Sequence, residues 1–462
     1  MAAAVEVDAD YLVVGAGAMG MAFVDALVGH SDATVAIVDR RHAPGGHWLD
    51  AYPFVQLHQA SAFYGVASTL LGGGRIQVEG PEAGLHERAS AAEICAYYAE
   101  VLEQLMGTGR VTFHPGCEYT GERNFRSRIS GVGYAAPRAR LVDAAYLAGD
   151  IPATTPPPFA VQDGANVIPV NDLVRVTEPP DRYVIVGAGK TSVDACVWLL
   201  QNGVDPDAIC WVRPREAWML DRAVVQPNPA VFTGMAADTM EAAAEAASAD
   251  DLFLRLEERG IMVRIDTTVT PTMAKTPTLG RWELDLVRQV TDVVRRGHVR
   301  AVSPGRLTFD DGDVRISPNA VVVHCAASGL GSPPLVPIWQ PDAIRPRPAA
   351  RIGFPCFGAA LTGYMEATRE DDGEKNDACR PSPYANTPAD WLTMQVIGGD
   401  AARAMSRHPD LREFANATTL NPSRIPPDLG DDPAVAAAIA RLKAAVGAGR
   451  ARMAELADAD AA

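Results

Sequence analysis

Two short stretches carry residues whose types and spacing could do chemistry. Near the N-terminus, "DYLVVGAGAMGMAFVDALVGH" sets Gly15, Gly17 and Gly20 at Gly-x-Gly-x-x-Gly spacing between an apolar strand and a helix. In mid-chain, "VIVGAGKTSVD" sets Gly187, Gly189 and Ser192 at the same spacing. The first glycine of such a run permits a tight turn and the second lets a pyrophosphate approach the backbone. The third position needs only a small residue where helix meets strand. Gly189-Lys190-Thr191 also looks like the end of a phosphate-binding P-loop. A P-loop needs another glycine five residues before Gly189. Val184 stands there, inside an apolar strand run, so the P-loop reading fails.

The strand after each run separates the two. The first run continues into "TVAIVDR", ending at Asp39, 19 residues after Gly20 (39 − 20). A carboxylate about 20 residues on is where an adenosine ribose hydroxyl is held. The second continues into "AICWVRPRE", which puts Arg213 21 residues after Ser192 (213 − 192). An arginine there suits the 2′-phosphate of NADP, with Arg215 close enough to assist. An acid-ended unit and an arginine-ended unit together imply FAD in the first and NADPH in the second.

Length and charge bound the rest. A chain of 462 residues can fold as two or three domains with ample cores. A net charge of −16 argues against nucleic acid or an anionic membrane as partner. The acidic start "MAAAVEVDAD" is unlike a secretory signal, and the apolar residues 11–29 carry Asp25 and the fingerprint glycines, so no membrane span is expected. Seven cysteines with no C-x-x-C pair suit a reduced, cytoplasmic setting. No grouping of residues suggests a metal site.

The segment "RRHAPGGHWLDAYPFVQLHQASAFYGVAS" gives these units a family resemblance. Gly45-Gly46-His47-Trp48 resembles the GG-x-W segment of class B flavin-dependent monooxygenases, the flavin-containing, N-hydroxylating and Baeyer–Villiger enzymes. Tyr52-Pro53 with Ser61 and Tyr64 is similar to a run in the Baeyer–Villiger branch. "RLTFDDGDVRISPNAVVVHCAASGL" resembles the family's closing stretch, with Ala326-Ala327-Ser328-Gly329 in the turn that usually reads Ala-Thr-Gly. The resemblance covers residues 8–65, 180–220 and 300–331. It implies cofactor contacts from Arg40, Gly46, His47, Trp48, Gln59, Lys190, Thr191 and Ser328, besides the fingerprint residues. It also implies that NADPH reduces FAD and that a C4a-(hydro)peroxyflavin passes one oxygen atom from molecular oxygen to a small organic substrate. Two departures stand out: the family's Phe-x-Gly-x-x-x-His linker motif is absent, and His58 lies near where the Baeyer–Villiger enzymes carry an aspartate.

The expected fold class is α/β, with two Rossmann-like dinucleotide-binding domains and a helical C-terminal extension. A FAD domain spans residues 1–165 and 320–380, around an NADPH domain of 166–319. The proline-rich stretch 151–173 is read as the linker between them. A helical insertion at about 229–276 suits core packing or a subunit contact, and 381–462 is mostly helical, ending in an alanine-rich helix expected at the periphery. His58 and Lys275 are the candidate catalytic residues; an ordinary hydrogen-bonded histidine and a solvated lysine are the blander readings. Two other functions stay open: an NADPH-dependent flavin reductase, and a FAD-stabilised binding protein without activity. A disulfide reductase would need a dithiol beside the flavin, and no cysteine occurs before Cys95.

Overall fold

The computed structural model describes residues 4–327 and 333–461. Two parallel sheets organise it. The first is built from β1 (Tyr11–Val14), β2 (Val35–Asp39), β3 (Val111–Pro115) and β4 (Arg140–Asp143), in the order β3-β2-β1-β4. The second comprises β5 (Val167–Pro169), β6 (Tyr183–Val186), β7 (Ile209–Val212), β8 (Val293–Val294) and β9 (Val321–His324), in the order β5-β9-β6-β7-β8. Continuous Val/Ile runs such as "YVIV" and "VVVH" are buried along their whole length, as expected of parallel strands covered on both faces. This is the expected α/β architecture with two dinucleotide-binding units.

The helices include α1 (Ala18–His30), α2 (Lys190–Gln201), α3 (Pro229–Glu245), α4 (Ala249–Glu258), α5 (Arg281–Val287), α6 (Pro355–Thr368), α7 (Pro388–Ser406) and α8 (Pro433–Ala461), with a further core helix at Ala91–Gly107. In each unit the first strand leads through a glycine turn into α1 or α2. Gly15 and Gly187 take φ of +108° and +148°, which only glycine adopts without strain. Gly20 is needed for a different reason. A methyl group on it would lie 1.9 Å from the carbonyl oxygen of Gly15, so the first turn of α1 can close on the strand only without a side chain. Gly20→Ala is therefore expected to destabilise the fold by about 3 kcal/mol, read as a lowered urea midpoint. A midpoint equal to wild type would contradict this packing. In the second unit Ser192 holds the equivalent place, fully buried, its hydroxyl donating to the Gly189 carbonyl at 2.7 Å.

Three features refine the expected domain plan. β9 pairs with β5 and β6, so the return towards the first unit starts after His324. The chain then reaches the first sheet at Ile344, bridged to Val142, and α6 packs along α1, where Gly363 meets the Phe23 backbone. The proline-rich crossover is not wholly linker, because its residues 167–169 form the edge strand β5. The alanine-rich α8 is not peripheral. Its Gly449 abuts the Met240 backbone of α3, Met453 and Leu456 are buried, and Arg441 pairs with Asp238 and Glu241. Small side chains let two helices approach closely, which the alanine-rich composition alone did not distinguish from a solvated helix.

Candidate functional site

The first glycine turn is closed over by the Gly45-Gly46-His47-Trp48 segment. Gly45 N–H donates to the Ala16 carbonyl at 2.9 Å, and both glycines take positive φ, +124° and +61°. A methyl on Gly46 would lie 2.9 Å from the Gly17 Cα, so the two backbones touch. Asp39 is buried beneath them and accepts from the backbone N–H of Ala16 and of Arg41. Gly17 caps α1 without a side-chain hydrogen bond, which leaves the helix N-terminus to an anion. Trp48 Nε1 donates to the Tyr64 hydroxyl at 2.6 Å. Gly15, Gly17, Gly20, Asp39, Gly46 and Trp48 are thus brought together. The other expected contacts are not drawn into this cradle. Gln59 turns its amide towards the Phe63 carbonyl, the Arg40 side chain is exposed, and exposed His47 leans on Trp48.

The second turn is more open. Gly189 has extended backbone, and a methyl on it would meet nothing within 4 Å. Neither strain nor packing requires glycine there; a pyrophosphate lying on the loop would. Thr191 is half-buried in the first turn of α2. Arg213 is only 3% exposed, which excludes a solvated strand-end arginine. Its guanidinium stacks 4.7 Å from the Trp211 ring and sets Nη1 3.2 Å from Glu216, outside hydrogen-bond geometry, while Nε has no partner among the described residues. Arg215 donates to Asn386 of the C-terminal extension at 3.1 Å. Lys275 sits beside Arg215; partial burial and that charge lower its pKa. Ser328 lies outside the described residues.

Lys190 departs most from expectation. It does not face the loop's open side but is buried against Asp194 and, at 3.0 Å, Glu283. These belong to a network of charges between the two units. Tyr52 donates to Asp194 at 2.7 Å, Arg222 pairs with Glu283 at 2.6 Å and with Glu82, and Arg88 pairs with Glu82 at 2.8 Å. Burial opposes ionisation of Glu283, but Lys190 and Arg222 beside it bring its pKa down to about 2. Burial and Asp194 keep the Tyr52 phenol protonated. One pair left a local signal, because Lys190 and Asp194 stand four residues apart on a helix. Glu82, Arg88, Arg222 and Glu283 come from distant segments and carried none. Against this network lies a cavity of about 300 Å³ walled by Phe54, Trp198, Trp282 and Gln77.

His58 enters the network by its carbonyl, which accepts from Arg222 Nε at 2.9 Å and from the Thr278 hydroxyl. Burial and the charges of Lys190 and Arg222 hold its imidazole down to about 3, far below 6.5. It is therefore neutral near pH 7 and unsuited to shuttle a proton there. Below pH about 6.5 the unfolded chain accepts a proton that the folded chain refuses, so this residue erodes stability as pH falls towards 3. Wild type should lose up to about 2 kcal/mol more than His58→Gln between pH 7 and pH 5. Urea unfolding at both values tests this; equal losses would mean that the imidazole protonates freely in the fold.

The fold and site define an α/β protein with two dinucleotide-binding units facing one another. The chain is 41% identical over 420 residues to the uncharacterized protein Rv2000 of Mycobacterium tuberculosis (strain ATCC 25618 / H37Rv), covering 90% of this chain and 78% of that protein. The same figures hold for the uncharacterized protein Mb2023 of Mycobacterium bovis. The chain belongs to the family of these mycobacterial proteins. No family model matches it. Solved structures with related folds include a steroid monooxygenase bound to NADP (TM-score 0.49, 12% identity, 96% of this chain and 98% of that one). A flavin-containing monooxygenase from Stenotrophomonas maltophilia is also similar (0.42, 16%, 79% and 97%), as is the bacillithiol disulfide reductase Bdr from Staphylococcus aureus (0.43, 10%, 87% and 99%). These likenesses are loose and concern the fold alone. Among the described residues no helix is long and apolar enough to cross a membrane, and no cluster of side chains could hold a metal ion.

Proposed function

We propose that the protein is a FAD-dependent, NADPH-consuming monooxygenase acting on a small organic molecule. The observation that carries this reading is the bond from Tyr52 to Asp194. Tyr52 stands six residues after Gly46 and Asp194 five after Gly189 (52 − 46, 194 − 189), so the two nucleotide loops open towards one interface. Two redox cofactors can exchange hydride only if held in a common cleft. The residues fit both groups. The Gly17–Gly46 contact leaves backbone, not side chains, around the first loop, and Gly189 leaves room on the second. Arg213, paired with Glu216 at 3.2 Å, would meet a phosphate by exchanging that carboxylate for it.

Bound together, FAD and NADPH supply hydride transfer and the reduction of molecular oxygen. The chain's part is positioning. Gly17, Gly46 and Asp39 hold the first nucleotide, while Gly187, Gly189 and Arg213 hold the second. The Lys190–Asp194–Tyr52 and Arg222–Glu283–Glu82 links fix the two units against one another. His58 orients Arg222 and Thr278 through its backbone carbonyl. The cavity between the units suits a small molecule. Oxygen insertion is tested by turnover under labelled oxygen gas with a panel of ketones, amines and thioethers. Label in a product supports the reading. NADPH oxidation with no labelled product from any of them favours the flavin reductase instead.

A further inference from the structure

Arg213 and Arg295 share one carboxylate. Glu216, three residues after Arg213, sets Oε2 3.2 Å from Arg213 Nη1 and Oε1 2.7 Å from Arg295 Nε. Arg295 also meets Asp266 at 2.6 Å. Two guanidiniums face two carboxylates, so the cluster is neutral without any ligand. Its hydrogen bonding is nevertheless incomplete, since Arg213 Nε donates to nothing among the described residues and Nη1 meets Glu216 outside hydrogen-bond geometry, although Arg213 and Glu216 are both buried. Buried donors without partners are costly. Trp211 covers only the flat face of the guanidinium. Glu216 therefore neutralises the charge without filling the fork of donors. A phosphate group has the oxygens to do both. The cluster is also fastened to the nucleotide loop, because Trp211 Nε1 donates to the Gly187 carbonyl at 2.9 Å.

We propose that Glu216 sets the nucleotide selectivity of the second unit, by holding the place of the 2′-phosphate on Arg213 and Arg295. This rests on the NADPH reading of that unit. NADPH must exchange its phosphate for the carboxylate, whereas NADH leaves the carboxylate where it is. Glu216 thus lowers affinity for the phosphorylated nucleotide and leaves the other unaffected. Without it the two arginines would keep only Asp266, leaving a net positive site with a steeper preference for NADPH.

Calorimetric titration with adenosine 2′,5′-bisphosphate and with AMP tests this on the full chain. Glu216→Gln should bind the bisphosphate about three- to tenfold more tightly than wild type, with AMP unchanged. If Glu216→Gln unfolds below wild type, Glu216→Asp is read instead; its shorter arm withdraws from Arg213, and a smaller gain of the same sign is expected. An unchanged or weakened bisphosphate affinity in the folded variant overturns the proposal. Arg213→Ala separates this failure from that of the NADPH reading. Weaker bisphosphate binding in Arg213→Ala with no gain at position 216 overturns the role of Glu216 alone. If wild type does not bind the bisphosphate, or Arg213→Ala binds it equally well, the NADPH reading falls and takes the proposal with it.

Discussion

Gly17→Val is expected to emerge from purification without flavin. Gly17 caps α1 where the Gly45-Gly46 backbone crosses the first loop, and even a methyl group there would sit 3.4 Å from the Gly46 Cα. The two further methyls of valine have no space unless that segment lifts, breaking the bond from Gly45 to the Ala16 carbonyl. The lifted segment carries Trp48, so the damage reaches the whole cradle. FAD content should fall from about one per chain to below about one tenth, read from the visible absorbance of the purified protein. The fold should survive, because Gly17 does not pack against the strand as Gly20 does. Full flavin occupancy in this variant would remove the N-terminal site.

Arg213→Ala is expected to weaken NADPH binding by about ten- to a hundredfold and to leave NADH nearly untouched. A charge-assisted contact to phosphate is worth roughly 1.5–3 kcal/mol, and exchange with Glu216 places the effect towards the lower end. The hydride transfer rate at saturating NADPH should change little, since the 2′-phosphate is remote from the nicotinamide and supplies uniform binding. Arg215→Ala should cost less, because Arg215 is engaged with Asn386. Fluorescence titration of both nucleotides against both variants measures the effect. An unchanged preference in Arg213→Ala would leave the second unit without a basis for NADPH.

The nucleotide loops were legible because their requirements are local. A positive φ at Gly15, a close approach at Gly20 and a small residue at Ser192 each leave a mark on one short stretch. The strands flanking each loop were legible for the same reason, as buried Val/Ile runs between turns, whereas the half-exposed Val111–Pro115, Arg140–Asp143, Val167–Pro169 and Val293–Val294 were not. The interface was not. Lys190 lies inside a motif that suggests phosphate, and its partner Glu283 is 93 residues away; only the tertiary fold turns the side chain inward. The strand Val321–His324 was recognisable as buried, but its sheet depends on pairing with Tyr183–Val186, which periodicity cannot specify. α8 shows the limit from the other side, since alanine and glycine suit a frayed helix and a tightly packed one equally well.

Two nucleotide cofactors meeting across the Tyr52–Asp194 interface is the core of the proposed mechanism. Anaerobic mixing of the flavin-loaded protein with one equivalent of NADPH puts that meeting to the test. The flavin absorbance should be bleached, at equal concentrations faster by NADPH than by NADH, and Gly17→Val should give no signal. A flavin that stays oxidised under NADPH, or a wild-type protein that holds no flavin, would contradict it.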